Sequence, residues 1–345
     1  MGQLSDGIVF LVPERYRSIY LKMKLLKLLM TSLIYSTIMT LHKSSTQHPE
    51  SPARLVSLID MVEYDFPELI RLTPRKVTKE EFLTAHTEEY YMALHDPHEL
   101  MKMNWDPDMF YNDHTLEAAL IAAGSTCQLV NTILHDGNNT QNGFALVRPP
   151  GHHARSGKCA GFCYVNNVMV AALSALRHNS DLKILVVDWD VHYHSGTADI
   201  IQKQSCSAEQ LTVLSLHRYD NGKFYPGDKM GATGTYSDGR IVNIGFDMRK
   251  KGPVPGDALY TETLQKFTAQ YQSRHGRPDI ILVSCGFDAA RGDPLGGFDV
   301  TPKGYGDMTK ILKELCPKVA IVLEGGYNVP IITECAKQCI IALDN

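Results

Sequence analysis

The chain has 345 residues, a formal net charge of −4, 44% hydrophobic residues and 21% charged residues. This composition is typical of a globular protein and excludes a disordered tail, a collagen-like chain and a coiled coil. The length allows two domains or one large α/β domain, and the slightly acidic balance argues against a dedicated nucleic-acid binder, so we expect no direct nucleic-acid partner.

The first predicted element lies in the N-terminal segment, residues 1–43. An apolar run at 28–41 follows three lysines and is shorter than the roughly 20 residues that cross a bilayer. It also begins too far into the chain for an ordinary signal peptide. We therefore expect an amphipathic surface helix within an atypical insertion at 11–40, with a membrane-surface anchor as the less favoured alternative. The eight cysteines are then expected to be reduced thiols of an intracellular protein.

Short apolar segments alternate with helical patterns along the rest of the chain. The apolar segments predict strands at 144–147, 184–188, 211–216, 241–244, 280–284 and 319–323. The helical patterns lie at 114–135, 167–178, 196–203, 257–274, 302–315 and 329–343. Because Val, Ile and Leu occupy both faces of the strands, this alternation predicts a doubly wound, mostly parallel sheet with helices on both faces. We expect residues 44–345 to form one domain.

Four segments that carry reactive side chains come directly after predicted strands. They are 148–154 (RPPGHHA), 188–192 (DWDVH), 285–290 (CGFDAA) and 324–328 (EGGYN). Ligands of open parallel sheets bind beyond the carboxyl ends of the strands, so these segments are expected to share one site.

The DWDVH segment indicates a metal site. Asp190 and His192 are two residues apart, and in an extended chain their side chains point to the same side. Asp288, after another strand, can supply a third ligand. Two carboxylates and one imidazole suit zinc or another divalent metal, and three protein ligands leave a coordination position open for catalysis.

Two histidines and one tyrosine complete the chemistry of the predicted site. His152 and His153 follow Pro-Pro-Gly, a context that argues against core packing. Near a metal, the two imidazoles can exchange protons around neutral pH. Tyr327 follows two glycines, and its phenol could donate a hydrogen bond to a developing oxyanion.

The motifs of the chain resemble those of the zinc-dependent histone deacetylases of the class II type. The segments that carry this resemblance, in one order from about residue 48 to the C-terminus, are RPPGHHA (148–154), GFCYVNN (161–167), DWDVH (188–192), LSLHRYD (214–220), GFDAARGDPLGG (286–297) and LEGGYN (323–328). The resemblance implies the arginase/deacetylase fold, which agrees with the sheet expected from the strand pattern.

The resemblance also implies a role for each site residue. It makes Asp190, His192 and Asp288 the zinc ligands, His153 the general base, His152 its electrostatic partner or a second acid/base, and Tyr327 the oxyanion donor. It places a structural potassium ion at Asp188, Ser215 and Leu216. Substrate-binding positions are expected at Asp108 on the rim, at Gly161, Phe162 and Tyr225 in the tunnel walls, and at Leu295 and Gly326.

The function that the resemblance implies is removal of acetyl groups from acetylated lysines of histones or other proteins, in the nucleus, the cytoplasm or both. Hydroxamate-type inhibitors and a corepressor complex are expected partners, and a membrane partner is not. The alternatives are a catalytically weak acyl-lysine reader or scaffold, an acetylpolyamine deacetylase and a longer-chain deacylase. Related readers replace the oxyanion tyrosine by histidine, and polyamine deacetylases carry Glu where this chain has Leu295, so Tyr327 and Leu295 favour the protein deacetylase.

Four residues depart from the family pattern. Tyr193 and His194 replace a histidine and a glycine, and Ser195 replaces the Asn or Asp that orients the base. Tyr225 replaces a phenylalanine and adds a hydroxyl group to the tunnel wall.

Overall fold

Nine β-strands form one sheet in the computed structural model, which describes residues 31–103, 106–135, 140–250 and 252–345. The strands are β1 (Thr31–Ile34), β2 (Ile70–Arg71), β3 (Asn142–Ala145), β4 (Ile184–Asp188), β5 (Leu211–Arg218), β6 (Gly234–Tyr236), β7 (Ile241–Phe246), β8 (Ile280–Cys285) and β9 (Val319–Leu323). Their order is β2-β1-β3-β9-β8-β4-β5-β7-β6, and every pair is parallel except β6 with β7. The mostly parallel sheet predicted from the sequence is confirmed.

The helices connect successive strands and cover the sheet. They are α1 (Pro52–Asp65), α2 (Lys79–Phe82), α3 (Glu88–Leu94), α4 (Pro97–Lys102), α5 (Thr115–His135), α6 (Asn167–His178), α7 (Ser195–Gln202), α8 (Asp257–His275), α9 (Pro302–Leu315) and α10 (Val329–Asp344). Helix α9 shows why they form where they do, because Thr301 caps it through the Gly304 amide and Pro302 occupies its first turn. In the described part of the chain, no helix is both long and apolar enough to cross a membrane.

The expected surface helix at 28–41 is wrong in the part that the structure describes. Residues 31–34 form β1, which is fully buried between β2 and β3, and a 3₁₀ helix follows at Thr37–Leu41. Two polar residues of this run are hydrogen-bonded inside the sheet: Thr31 Oγ1 donates to Asn142 Oδ1 at 2.9 Å, and Ser32 Oγ donates to the Asn142 carbonyl at 3.4 Å. Residues 1–30, with the three lysines and most of the expected insertion, lie outside the described residues, and the boundary after residue 43 stays a prediction.

The order of the strands brings the four functional segments together. Strands β3, β9, β8 and β4 are consecutive neighbours in the sheet, although up to about 180 residues of sequence separate them. All four run parallel, so their carboxyl ends meet at one edge. The segments that follow them, and that carry the predicted site residues, therefore share one location.

A buried ion cluster joins the N-terminal part of the chain to this edge. Arg148, after β3, makes a two-pronged pair with Glu50, with distances of 2.8 and 2.7 Å, and Arg54 contacts the same carboxylate at 3.0 Å. All three side chains are fully buried. The two arginines also donate to the backbone carbonyl groups of Met39, His42, Glu324 and Gly326. The cluster therefore fixes the 39–50 segment and the loop after β9 relative to each other.

Replacement of Arg148 by alanine should lower the free energy of unfolding by about 3–5 kcal/mol, because Glu50 would lose its bidentate partner while remaining buried. Urea denaturation followed by circular dichroism measures this change. The matched control is Arg291→Ala, which removes an exposed pair with Asp299 and should change stability little. Equal losses in the two variants would contradict the structural role of the cluster.

Candidate active site

Three buried side chains converge where β4 and β8 end. Ligand atoms of Asp190, His192 and Asp288 all lie within 4.8 Å of one another. The His192 Nδ1 atom is 3.0 Å from Asp190 Oδ1 and 3.1 Å from Asp288 Oδ2. Two carboxylate oxygens and one imidazole nitrogen that point at one spot could hold a divalent metal ion.

Glycines allow the backbone to approach these carboxylates closely. A Cβ atom at Gly286 would lie 2.1 Å from Asp190 Oδ2, and one at Gly325 would lie 2.3 Å from Asp288 Oδ2. The Gly325 amide also donates a hydrogen bond to Asp190 Oδ2 at 2.9 Å. Any side chain at either glycine would therefore occupy the space that the carboxylates need.

The two carboxylates are fully buried and repel each other. Burial, and then the Asp190 charge, raise the pKa of Asp288 above its usual range. Burial opposes ionisation of Asp190 as well, but the imidazoles of His152 and His192 outweigh it and hold the pKa of Asp190 well below its usual range. A bound cation would relieve this repulsion, so the electrostatics of the donor set fit a metal ion.

His152 lies between two carboxylates behind the candidate metal site. Its Nδ1 atom is 3.0 Å from Asp188 Oδ2, and its Nε2 atom is 3.6 Å from Asp190 Oδ1. Burial works against the charged imidazole, but the Asp190 and Asp188 carboxylates outweigh it and raise the pKa of His152 well above its usual value. His152 is therefore suited to hold a proton.

His153 has the opposite environment. Burial lowers its pKa well below the usual value, and the neighbouring His152 and His192 lower it further. Its Nδ1 atom is 3.2 Å from the hydroxyl oxygen of Ser195, the residue that replaces the family's Asn or Asp. A neutral imidazole that is oriented by a hydroxyl group is suited to accept a proton.

A cavity of about 710 Å³ opens from these groups to the surface. Its wall residues include Phe162, Phe224, Tyr225 and Leu295, and His152, His153 and His192 also line it. The ring of Phe224 stacks on His192, with a centroid distance of 5.1 Å and an angle of 10°. The cavity is therefore an aromatic tunnel that leads to the candidate metal site.

Tyr327 lies on the same cavity in the loop after β9. Its ring packs edge-on against Phe162 at 6.0 Å, and the Arg54 guanidinium lies 5.2 Å from its centroid. Its amide donates to Asp293 Oδ2 at 2.7 Å. Burial, and then the Asp288 charge, raise the pKa of Tyr327 well above its usual value, so the phenol keeps its proton.

Comparison with known proteins agrees with this geometry. Residues 48–343 match the model of the histone deacetylase domain. The chain belongs to the histone deacetylase family. It is 39% identical over 301 residues to histone deacetylase 15 of Arabidopsis thaliana, covering 85% of this chain and 52% of that protein. It is 34% identical over 333 residues to histone deacetylase clr3 of Schizosaccharomyces pombe, covering 89% of this chain and 47% of that protein.

A solved structure shows the same fold. The crystal structure of the HDA15 HD domain superposes with a TM-score of 0.81 at 37% identity, covering 91% of this chain and 89% of that one. The arginase/deacetylase fold expected from the resemblance is thereby confirmed. The chain spans about half the length of the curated relatives that it matches.

The other predicted substrate residues fall at different places around the tunnel. Gly161, Asp108 and Leu295 line the cavity, with Asp108 and Leu295 exposed at its mouth. Gly326 does not line it, although its neighbour Gly325 does. The Gly326 carbonyl oxygen instead accepts a hydrogen bond from Arg54.

The residues that the resemblance assigns to potassium lie next to each other in the sheet. Asp188 and Ser215 are direct partners in the β4–β5 pair, and both are fully buried, as is Leu216. The Ser215 hydroxyl oxygen is 2.8 Å from His217 Nδ1. Among the described residues, Asp190, His192 and Asp288 form the one cluster of three or more acidic, histidine or cysteine side chains that could hold a metal ion. The assignment of potassium to Asp188, Ser215 and Leu216 comes from the resemblance alone.

The departures after His192 are accommodated without backbone strain. His194 has φ −69°, so the left-handed backbone that glycine would favour is not required. Its Nε2 atom is 3.1 Å from Asn243 Oδ1, and the Asn243 amide in turn donates to the Met230 carbonyl. The buried ring of Tyr193 packs 5.0 Å from that of His217.

Sequence reasoning missed the structural role of Glu324. This fully buried carboxylate accepts hydrogen bonds from the amides of Gly151 and His152, at 2.6 and 3.1 Å. Burial, and then the Asp188 charge, raise the pKa of Glu324 to about 7, and nearby His152 opposes that rise. The sequence pattern that could have indicated this role is a charged residue, Glu324, directly after the apolar strand β9.

Replacement of Asp288 by alanine should abolish stoichiometric metal binding, because two side chains would remain at the site. Metal content of the purified protein, measured by inductively coupled plasma mass spectrometry after dialysis against zinc, tests this expectation. Asp299→Asn, on an exposed carboxylate, is the control and should keep its metal. Full zinc occupancy in the Asp288 variant would refute the proposed ligand set.

Proposed function

We propose that this protein is a zinc-dependent lysine deacetylase that removes acetyl groups from acetylated lysines of histones or other proteins. The observation that carries the proposal is that Asp190, His192 and Asp288 meet at the inner end of an aromatic tunnel that is also lined by His153 and Tyr327. The tunnel suits a thin aliphatic side chain, and the groups at its end suit hydrolysis of an amide.

Zinc is the metal that best fits this site. Asp190, His192 and Asp288 would hold it through two oxygens and one nitrogen, leaving a position open. When bound, zinc would polarise the acetyl carbonyl group and lower the pKa of a water molecule. The structure supports this assignment through the glycine cradle at Gly286 and Gly325 and through the repulsion between the two buried carboxylates.

His153 is the general base of the proposed reaction. Its depressed pKa keeps the imidazole neutral at physiological pH, so it can accept a proton from the attacking water molecule. Ser195, 3.2 Å from its Nδ1 atom, holds the ring in orientation. A neutral hydroxyl stabilises the protonated imidazole less than a carboxylate would, so His153 returns its proton readily to the leaving lysine amine.

His152 and Tyr327 stabilise the charges of the reaction. His152 carries a proton between Asp188 and Asp190 and thereby offsets negative charge behind the site. Tyr327 keeps its phenolic proton and can donate a hydrogen bond to the oxyanion that develops on the acetyl carbonyl. Both groups act from positions set by the segments after β3 and β9.

The remaining parts of the proposal rest on the family. We assign structural potassium to Asp188, Ser215 and Leu216, acetyl-lysine peptides and hydroxamate-type inhibitors to the tunnel, and a corepressor complex as a partner. We assign the protein to the nucleus, the cytoplasm or both. The names of the relatives, histone deacetylase 15 and histone deacetylase clr3, support histones as one substrate class.

Two specific observations weigh against the alternative functions. Tyr327 at the tunnel disfavours an inactive acyl-lysine reader, because a donor to the oxyanion is present. Leu295 at the mouth offers no charge to a second amine of a polyamine. A longer-chain deacylase shares the same catalytic groups and is distinguished by experiment.

The direct test is a panel of acetyl-, trifluoroacetyl- and longer-acyl-lysine peptides together with acetylspermidine, each assayed with and without a zinc chelator. We expect turnover of acetyl-lysine peptides that chelation abolishes and added zinc restores. Turnover that survives chelation would contradict the metal mechanism. Turnover of trifluoroacetyl-lysine alone would favour the reader, and preference for acetylspermidine or a longer acyl chain would favour the corresponding enzyme.

Tyr327→Phe should keep its zinc and lose about 10²–10³-fold in kcat, because one donor to the oxyanion is removed. Steady-state kinetics and metal analysis on the same preparation measure both quantities. Tyr64→Phe is the matched control, since Tyr64 is 85% exposed on α1 and should behave as the wild type. A Tyr327→Phe variant with wild-type kcat would overturn the oxyanion role.

A further inference from the structure

One carboxylate contacts two residues that line the tunnel. The Tyr225 hydroxyl donates a hydrogen bond to Asp106 Oδ2 at 3.0 Å. The same oxygen accepts a hydrogen bond from the amide of Gly161, in a different segment of the tunnel wall, at 3.4 Å. Neither contact belongs to the catalytic groups described above, and the first one requires the hydroxyl group that a phenylalanine at position 225 would lack.

Asp106 is itself held in place by its own loop. Its Oδ1 atom accepts from the Asp108 amide at 3.3 Å, and its carbonyl oxygen accepts from the Met109 amide at 2.9 Å. The Met109 sulfur atom then lies 3.1 Å from the Phe162 amide nitrogen, which donates to it. The carboxylate is therefore fixed to the wall that contains Gly161 and Phe162, and Tyr225 is attached to that wall through it.

Tyr225 needs such an attachment because packing holds it only in part. Its side chain is 38% exposed, and it lies on a loop with left-handed backbone at Asn221, Gly222 and Gly227. One edge of its ring meets His153 with a centroid distance of 5.1 Å, so the position of Tyr225 also shapes the space beside the proposed base.

We propose that Asp106 is a positioning residue that sets the width of the tunnel mouth by joining the Tyr225 hydroxyl to the Gly161 wall. The bridge holds the Tyr225 ring against the aliphatic stem of an acyl-lysine and thereby contributes to binding rather than to the chemical step. This inference rests on the proposed function, because it takes an acyl-lysine side chain as the occupant of the tunnel.

The test is a double-mutant cycle with Tyr225→Phe, Asp106→Ala and the combination of the two. Each single variant should raise KM for an acetyl-lysine peptide about threefold to tenfold, the effect of one net hydrogen bond, with kcat within about twofold of the wild type. The double variant should equal the singles rather than multiply them, since both remove the same bond. Asp106→Asn, which keeps an acceptor oxygen, should restore KM to within about twofold of the wild type.

One further variant and two further measurements separate loss of the bridge from loss of charge or of fold. Asp113→Asn removes an exposed charge from the same loop and should leave KM unchanged. Thermal unfolding and zinc content should be the same in all variants. Multiplicative effects in the double variant, an Asp106→Asn variant as impaired as Asp106→Ala, or a fall in kcat without a rise in KM would each overturn the proposal.

Measuring the peptide affinity of the same variants separates the test of the bridge from the test of the deacetylase function. The dissociation constant of a fluorescent acetyl-lysine peptide, measured by anisotropy, should rise as KM does. A wild-type protein that binds the peptide without turnover would refute the deacetylase function. The bridge would then still be tested by comparing the peptide dissociation constants of the variants with that of the wild type. Unchanged affinity in both single variants, beside normal wild-type turnover, would refute the bridge alone.

Discussion

The structure depends on the burial of two like charges at one edge of a sheet. Asp190 and Asp288 are fully buried and share a hydrogen-bonding partner in His192. Two neighbouring buried carboxylates repel each other strongly, so nearby groups have to stabilise them. Three features reduce the repulsion between these carboxylates. They are the glycines that let backbone amides approach, the charged imidazole of His152, and an arrangement of ligand atoms that could bind a cation.

The same constraint separates the roles of the two adjacent histidines. His152 faces Asp188 and Asp190 and retains a proton, whereas His153 faces other imidazoles and a serine hydroxyl and loses it. Of these two adjacent imidazoles, one is therefore charged and the other is neutral, as the proposed general base has to be. Glu324 accepts hydrogen bonds from amides of the loop that carries these histidines, and the Arg148–Glu50–Arg54 cluster connects this loop to the one that carries Tyr327. Buried ionic contacts outside the candidate site therefore position the proposed catalytic residues.

Most strands and the candidate metal ligands could be predicted from the sequence, because the patterns that indicate them lie within a few residues of each other. The strands that precede Asp190 and Asp288 are continuous apolar segments, and the two-residue spacing of Asp190 and His192 places them on one side. The sequence does not predict strand β1, because the partners of Thr31 and Ser32 in β3 are over 100 residues away and no local pattern indicates them. The Asp106–Tyr225 contact spans 119 residues, and no local pattern encodes such a pairing.

In the proposed function, the buried carboxylates of Asp190 and Asp288 hold one zinc ion. Anomalous diffraction from crystals of the full chain, with data recorded on both sides of the zinc absorption edge, tests it most directly. We expect one strong anomalous peak about 2.0–2.2 Å from the side chains of Asp190, His192 and Asp288. A strong zinc peak elsewhere with none at this site, in crystals grown with zinc, would contradict the account.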